Sequence, residues 1–413
     1  MDAEGEIRRR IAEQGRITFA EFMEVALYWP VGGFYSSRHL TGPHDNFYTA
    51  ARAHPAFAAL LSLQLFQFWE LLERPHPFWV VEMGGADGLL ARDILDYCAH
   101  LPDAFRDALS YLCLDRSQAP VGGDDSKGLG RDDVQRITSA SVPFHGIVGC
   151  FLSNELVDAF PVNRVTIAGG QLREVYITAR DGALVEEIDE PSTPALWEHM
   201  HQADISLEEG RTAEVNLAAG KWVEGVAGAL ERGFVLTIDY GGSAQELSAR
   251  ANARGTLRCY YRHMEVVDPY TRIGDQDITS HVDFTSLALQ GQKHGLEVVG
   301  YVAQGHFLRA LGLNRLTHRL RSEGLEQRQV EANSMGMLDL ARQGGMGDFK
   351  VLVQGKKVGA PSLWGIDPTE EVAGILDSLP LPLRSQSHIP LLEGRYTHAG
   401  QDWSYDGGGQ PAC

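Results

Sequence analysis

Residues 80–95, VVEMGGADGLLARDIL, constrain the fold of this chain more than any other segment. An apolar run leads through the acid Glu82 and a glycine-rich turn directly into an amphipathic helical pattern. Gly84 and Gly88 lack a Cβ, so the backbone can take positive φ and a ligand can approach closely, while free N–H groups of the following helix face the turn. The segment therefore predicts a strand–turn–helix unit that binds a nucleotide-type ligand.

The spacing of the glycines separates two classes of cofactor. Gly84, Gly85 and Gly88 follow Glu82 in E-x-G-G-x-x-G order, which differs from the G-x-G-x-x-G spacing of dinucleotide-binding turns. This order favours S-adenosylmethionine. An ordinary strand-to-helix connection would also contain such a turn, but the next strand-like run ends in Asp115, near the spacing at which an acid binds a ribose diol.

Length and charge limit the classes of function. The chain has 413 residues, more than one hydrophobic core usually supports, so a main domain with a second lobe or large insertions is expected. The formal net charge is −19, and no Lys/Arg cluster forms a local basic groove. Such a surface repels phosphate backbones, which argues against nucleic acid as a partner.

Cysteine usage and hydropathy predict a cytoplasmic protein. The five cysteines contain no C-x-x-C pair, and together with the histidines they lack metal-ligand spacing, so neither a disulfide framework nor a metal site is expected. No apolar run approaches the roughly 18 residues needed to span a bilayer. The sequence leaves open whether the chain forms a homodimer.

The order of apolar patterns predicts an α/β fold with insertions. Alternating strand-like and helical runs are typical of right-handed βαβ units in a parallel sheet. The β-branched alternation around Gly169-Gly170 and Asp181-Gly182 predicts a hairpin or meander instead. The expected organisation is a helical N-terminal region with a ligand-covering loop (1–75), the first part of the core (76–165), an insertion with a hairpin and a helix (166–230), a core strand (231–245), a substrate lobe (246–295), the end of the core with its last strand antiparallel (296–357) and a loosely ordered tail (358–413).

The segment GIVGCFLSNELVDAFPVNRV carries the greatest density of reactive groups. Its strand opens onto Asn154 and Glu155, with Asp158 three residues later, at the carboxyl end of a central strand where open α/β sheets bind ligands. A following helix would place Glu155 and Asp158 on one face. Alternatively, Asn154 caps that helix and the two acids only complement its dipole.

These segments resemble the MidA family of class I S-adenosylmethionine-dependent methyltransferases, a family that includes a mitochondrial protein arginine methyltransferase. The resemblance covers about residues 5 to 355 and rests on ITFAEFMEVALYWPVGGFYS, VVEMGGADG, LSNELVDAFPV, LTIDYGG, GDQDITSHVDF and QGHFLRALGL, which occur in the family's order. It implies a Rossmann-like class I methyltransferase sheet, a helical N-terminal region and an inserted substrate lobe. The cofactor that it implies is S-adenosyl-L-methionine, and the acceptor is a protein or a small molecule.

The resemblance also assigns residues by role. Cofactor binding falls to Glu82, Gly84, Gly85, Gly88, Asp115 and Asn154. Methyl transfer falls to Asn154, Glu155, Asp158 and His281, and acceptor binding to Tyr240, Asp277 and Asp283. Tyr35 and Arg52 are added as acceptor-binding candidates because they lie in the N-terminal region where the mouth of the pocket is expected.

Two departures from the family pattern concern charge. Asp87 replaces a small or neutral residue of the turn and either contacts the cofactor's ammonium or faces solvent. Ala86 before it replaces a glycine, and an alanine fits a tight turn if its φ stays negative. Arg52 stands where the family has a glutamate, which reverses a charge near the expected mouth of the pocket. An arginine acceptor would be less favoured there.

Two acceptor chemistries therefore stay open, beside a non-catalytic scaffold that keeps the fold. Methylation of arginine calls for carboxylates such as Glu155 and Asp158, which hold the guanidinium and localise its charge. Methylation of a metabolite hydroxyl calls for a base near neutral pH. His281, beside Asp283 and close to Asp277, is the candidate base, and His44, His54, His263 and His306 are weaker ones.

Overall fold

The computed structural model describes residues 1–37, 48–116, 134–261, 264–385 and 387–388. The helices are α1 Ala3–Gln14, α2 Phe19–Tyr28, α3 Phe34–Ser37, α4 Ala50–Ala53, α5 Ala56–Leu71, α6 Leu89–Cys98, α7 Asp103–Ala108, α8 Pro194–Gln202, α9 Leu217–Ala229, α10 Ala244–Arg250, α11 Phe284–Lys293, α12 Gln304–Ala310, α13 Leu313–Arg319, α14 Gln327–Leu340 and α15 Glu370–Ser378, with short 3-10 turns at Val157–Ala159 and Met346–Asp348. The strands are β1 Ile17–Thr18, β2 Phe78–Met83, β3 Leu109–Asp115, β4 Val134–Thr138, β5 Ile147–Asn154, β6 Asn163–Ala168, β7 Gln171–Arg180, β8 Ala183–Asp189, β9 Thr212–Val215, β10 Leu230–Asp239, β11 Gly241–Gly242, β12 Arg258–Tyr261, β13 Met264–Val266, β14 Asp277–Thr279, β15 Val282–Asp283, β16 Glu297–Ala303 and β17 Lys350–Lys356.

A seven-stranded sheet in the order β16-β17-β10-β5-β2-β3-β4 forms the centre of the molecule. The neighbours from β10 to β4 pair in parallel, whereas β17 is antiparallel to both β10 and β16. The expected antiparallel end of the core is therefore found in β17. The central strands are buried along almost their whole length, as strands covered by helices on both faces must be.

The register of the parallel strands brings the sequence-predicted acids to one edge of the sheet. Met83 pairs with Leu114 on one side and with Ser153 on the other, so Gly84, Asp115 and Asn154 follow at the same level. Asn154 itself pairs with Ile238, the residue before Asp239. Segments far apart in the sequence therefore end beside one another at the carboxyl edge of the sheet.

Helix α5 shows how the sheet is covered on one face. It is apolar on all sides, and nearly every residue is buried, which suits a helix enclosed by core rather than one at the surface. Phe68 of α5 stacks on Phe234 of β10, with ring centroids 4.0 Å apart. Helices α9 and α11 build a second apolar cluster that includes Val81, Phe151 and Val235 of the sheet.

The two insertions form antiparallel sheets of their own. Strands β6, β7 and β8 make the expected meander, turning at Gly169-Gly170 and Asp181-Gly182. The N-terminal strand β1 joins it, since Ile17 pairs with Ile177. Part of the lobe at 246–295 forms a three-stranded antiparallel sheet in the order β13-β12-β14, and its strand β14 is fully buried.

The sequence expectation of a loosely ordered tail from residue 358 is wrong for the described part. Leu363, Trp364 and Leu376 are buried in the main apolar cluster, and Thr369 caps α15 by accepting a hydrogen bond from the Val372 N–H. Proline and glycine suggested disorder, but a few large apolar side chains supply enough buried area to fix the segment. Within the described residues, no helix combines the length and apolarity needed to cross a membrane.

Candidate active site

The glycine turn between β2 and α6 has the backbone that its sequence demands. Gly84 has φ 75°, and Gly88, the residue immediately before α6, has φ 79°. A Cβ on Gly84 would lie 2.8 Å from Cδ1 of Leu156, a residue of the Asn154–Asp158 segment. Glycine at this position therefore allows the turn after β2 to contact the Asn154–Asp158 segment. Ala86 corrects an expectation, because its φ is positive at 46°.

Glu82 lies beneath the glycine turn. Its side chain is buried, accepts a hydrogen bond of 2.9 Å from the Tyr111 hydroxyl and lies under Gly85. Burial raises the pKa of Glu82 to about 7. This carboxyl supports the turn from the inside of the sheet.

Asp115 ends β3 beside the turn. Its Oδ1 accepts a hydrogen bond of 3.4 Å from the Ala86 N–H, and burial raises the pKa of this carboxyl to about 6. Arg136 of β4 donates to the Ala86 carbonyl at 3.1 Å. Two neighbouring strands thus fix Ala86, and Asp115 lies where an acid that binds a sugar diol is expected.

The Asn154–Asp158 segment is a turn and not the helix that would align its acids. Glu155 has φ 51°, and its N–H donates to the Ile238 carbonyl at 2.9 Å. Asn154 belongs to β5 and caps no helix; its Nδ2 donates to Glu155 Oε1 at 3.2 Å. Glu155 and Asp158 are brought together by a 3-10 turn, Val157–Ala159.

Asp239, which the sequence interpretation did not place in the site, holds this turn. Its Oδ2 accepts hydrogen bonds from the backbone N–H groups of Leu156, Val157 and Asp158, at 3.2, 2.9 and 3.3 Å. The Asp239 side chain is completely buried. An acid at the carboxyl end of β10 was the available signal, because neighbouring parallel strands end at the same edge.

Carboxylates are concentrated at this edge. Burial, reinforced by the charge of Asp158, raises the pKa of Glu155 to about 8. Burial also raises the pKa of Asp158 to about 6. No described Lys, Arg or His side chain forms an ion pair with Glu155, Asp158 or Asp239. The site therefore favours a cationic ligand, which would stabilise the ionised forms.

Aromatic hydroxyls surround these acids. Tyr35 donates to Asp277 Oδ1 at 2.8 Å and stacks on Tyr28, so α2, α3 and β14 meet over the site. Tyr240 follows Asp239; burial and the nearby charge of Asp158 raise the pKa of its hydroxyl well above the usual value. The predicted acceptor residues Tyr35, Tyr240 and Asp277 are thus brought together.

His281 and Asp283, predicted as a base and its orienting acid, are separated. Asp283 caps α11 by accepting hydrogen bonds from the N–H groups of Thr285 and Ser286, so its carboxylate serves the helix and not His281. His281 Nδ1 lies 3.0 Å from the Thr256 carbonyl. A carbonyl only accepts, so Nδ1 carries the proton and Nε2 keeps its lone pair. Burial lowers the pKa of His281.

Arg52 is also placed differently from the expectation. Its guanidinium forms an ion pair with Asp87, and the two side chains are 14% and 31% exposed. Arg52 and Asp87, the two residues that depart from the family pattern in charge, therefore neutralise each other. Arg52 directs no free positive charge at an acceptor, and Asp87 does not face solvent alone. The weaker candidates His44 and His263 lie outside the described residues.

Unpartnered polar atoms mark the space that a ligand would fill. Ser153 Oγ, Asn154 Oδ1 and Asp158 Oδ1 are buried without a hydrogen bond to any described residue. Buried polar atoms are nearly always hydrogen-bonded, so a group of orphans at one edge indicates a binding site. Backbone N–H groups at the turn, the Asp115 carboxylate and the Asn154 amide oxygen fit the carboxylate, ribose and ammonium of S-adenosylmethionine.

A family model of S-adenosyl-L-methionine-dependent methyltransferases matches residues 60–302. The chain belongs to the MidA family of these enzymes. The matched span runs from α5 to β16 and contains the turn, Asp115, the Asn154–Asp158 segment and Asp239. The enzyme accordingly uses S-adenosylmethionine and transfers its methyl group to an acceptor.

Relatives and solved structures cover most of the chain. A protein from Burkholderia thailandensis, crystallised with S-adenosyl-homocysteine, superposes with a TM-score of 0.76 at 28% identity, covering 88% of this chain and 94% of that one. The mitochondrial protein arginine methyltransferase NDUFAF7 homolog of Drosophila melanogaster is 26% identical over 85% of this chain and 84% of its own length. Human mitochondrial protein arginine methyltransferase NDUFAF7 is 25% identical over 74% of this chain and 72% of its own.

Proposed function

We propose that the enzyme methylates arginine side chains of a partner protein. The observation that carries this proposal is the group of carboxylates Glu155, Asp158 and Asp239, none of which forms an ion pair with a described side chain. Asp158 and Asp239 are buried, and Glu155 is partly exposed. A guanidinium placed between Glu155 and Asp158 would supply the missing positive charge and planar donors for the orphaned Asp158 Oδ1. The names of the relatives from Drosophila melanogaster and human support the same acceptor.

Side chains of the enzyme can both orient the guanidinium and accept the proton that it loses. When bound, the cofactor supplies an electrophilic methyl group on a positively charged sulfur. Glu155 would orient the guanidinium and take the proton that the attacking nitrogen loses, while the C–S bond breaks and its electron pair returns to sulfur. The N–H groups of Asn154 Nδ2 and Ala50, at 3.2 and 3.3 Å, hold Glu155 Oε1 in place. The enclosing tyrosines would exclude water.

The two insertions belong to this proposal as the acceptor side of the enzyme. Tyr35 and Asp277 join the N-terminal helices to the lobe at 246–295, and Ser280 of that lobe donates to the Asp158 carbonyl at 2.9 Å. We infer that an acceptor protein contacts these segments, and that the boundaries given above separate them from the cofactor-binding core. A cytoplasmic location stays a prediction, since the relatives are named mitochondrial.

Methylation of a metabolite hydroxyl is the second candidate, and one observation favours it. The Nε2 lone pair of His281 is fixed by the hydrogen bond at Nδ1, and burial keeps the ring neutral, so a base is available next to Tyr240. Arg52 no longer supports this alternative, because Asp87 neutralises it.

Transfer of a radiolabelled methyl group distinguishes the two acceptors. The enzyme is incubated with methyl-tritiated S-adenosylmethionine and lysate of its source cells, and labelled protein is hydrolysed to amino acids. Label recovered as N-methylarginine, and lost with Glu155→Gln but not with the exposed control Glu224→Gln, supports the proposal. Label confined to small molecules, or lost only with His281→Gln, would overturn it in favour of the hydroxyl acceptor.

A further inference from the structure

Helix α4 is too short to be stable by itself. It has four residues, and Thr49 at its start makes no side-chain cap hydrogen bond. A single helical turn is unfavourable in isolation, because nucleation fixes several dihedral angles for one hydrogen bond. Contacts with the rest of the chain must therefore fix its position.

The outer anchors of α4 reach helix α14. Tyr48 donates to Asp339 Oδ2 at 2.9 Å, and His54 Nε2 lies 2.9 Å from Asn333 Oδ1. The Ala56 N–H donates to His54 Nδ1, so the proton is on Nε2, and burial lowers the pKa of this ring to about 3. His54 is thus a neutral structural link and not a catalytic base.

The inner anchors of α4 reach both halves of the active site. The Ala50 N–H donates to Glu155 Oε1 at 3.3 Å. Two residues later, Arg52 pairs with Asp87 Oδ2 in the cofactor turn, while Asp87 Oδ1 accepts from the Leu89 N–H at 3.2 Å. Asp87 therefore joins the first turn of α6 to α4.

We propose that Arg52 and Asp87 are positioning residues for methyl transfer: their ion pair holds α4 so that the Ala50 N–H stays on Glu155. Among the described contacts of α4, the Arg52–Asp87 pair is an ion pair, and it lies on the side of α4 that faces the carboxyl edge of the sheet. Without it, α4 stays attached to α14 but is free to move away from Glu155. The inference rests on the role of Glu155 proposed above.

Losing the Ala50 contact has a measurable signature at Glu155. The groups that face this carboxyl are the acids Asp158 and Asp239, which disfavour its ionised form, and the donors Asn154 Nδ2 and Ala50 N–H, which favour it. Removing one of two donors raises the pKa of Glu155. The rate of methyl transfer should then rise with pH at a higher pH than in the unaltered enzyme.

Charge repulsion and its relief test the pair. Arg52→Glu places a second carboxylate against Asp87, and the resulting displacement of α4 should lower kcat for label transfer roughly tenfold to a hundredfold. Asp87→Asn keeps the oxygen that caps α6 but removes the charge, so adding it to Arg52→Glu should recover most of the rate. The double variant should also return the pH profile toward that of the unaltered enzyme.

A matched control and folding measurements keep the test decisive. Arg315→Glu breaks an exposed pair with Asp377 between α13 and α15 and should leave rate and pH profile unchanged. Arg52→Glu is not used if it lowers the melting temperature much more than this control does. The neutral variants Arg52→Gln, Asp87→Asn and their combination then take its place. Methyl transfer by the combined variant should be no slower than by either single variant.

Three results would overturn the proposal. A rate unaffected by Arg52→Glu would show that α4 needs no such pair. Failure of Asp87→Asn to rescue Arg52→Glu would show that Arg52 acts directly on a ligand, which a matching rise in KM for the acceptor would confirm. A lower rate with an unchanged pH profile would show that α4 does not act through the pKa of Glu155. Activity retained by Glu155→Gln would refute the proposed function instead.

Discussion

The cofactor half and the acceptor half of the site are built in different ways. Around the turn, Glu82, Asp115 and Asp87 each accept hydrogen bonds from neighbouring groups of the chain. On the acceptor side, Asp158 Oδ1 is buried without a hydrogen-bond partner among the described residues. The first half is preorganised by local contacts, whereas the second leaves its hydrogen-bonding capacity for an acceptor.

The largest expected effect comes from the acceptor half. Glu155→Gln keeps the size of the side chain but removes the proton acceptor, so methyl transfer should fall about a thousandfold, within the range for general base catalysis. Binding of S-adenosylmethionine, measured by isothermal titration, should change little. A comparable loss of cofactor affinity would mean that the two halves are not separable.

Asp115→Ala should act on the cofactor half alone. Loss of hydrogen bonds from a ribose diol to a carboxylate costs about 2–3 kcal/mol, so the Kd for S-adenosylmethionine should rise roughly 30- to 150-fold. Binding of S-adenosylhomocysteine, which has the same sugar, should weaken by the same factor in titration. Unequal effects on the two molecules would place Asp115 near the sulfur rather than the ribose.

Gly84→Ala tests the contact between the halves. A Cβ would meet Leu156 Cδ1 at 2.8 Å while φ is 75°, so we expect about 1–3 kcal/mol lower stability and weaker cofactor binding. Chemical denaturation measures the first and titration the second. Adding Leu156→Ala should remove the clash but not the backbone strain, so full recovery would contradict the structure.

The smallest effect is a pH dependence of stability. The pKa of Glu155, about 8, is raised above its unfolded value, so the folded state binds more protons and stability falls as pH rises from about 4.5 to 8. Glu155→Gln should therefore be more stable than the unaltered enzyme at pH 8.5, by roughly 1–2 kcal/mol, and not at pH 4.5. Equal unfolding free energies of the variant and the unaltered enzyme at both pH values would contradict a raised pKa at Glu155.

The sequence was informative where structure depends on neighbouring residues. The glycine turn and the meander at Gly169-Gly170 were predicted from local composition. The partners of Arg52, Asp283 and His281 were not, because long-range packing decides whether a charge meets a ligand, a helix end or another side chain. Asp239 was overlooked for the same reason, since its three backbone partners lie more than eighty residues earlier.

Strand β17 has a consequence for how the enzyme is made. It lies between β10 and β16, although it is the last strand of the described chain. Until residue 356 has been synthesised, β10 and β16 have an open gap between them. The seven-stranded sheet therefore cannot close before β17 has been made, and shorter chains leave the edges of β10 and β16 open to pairing with other chains.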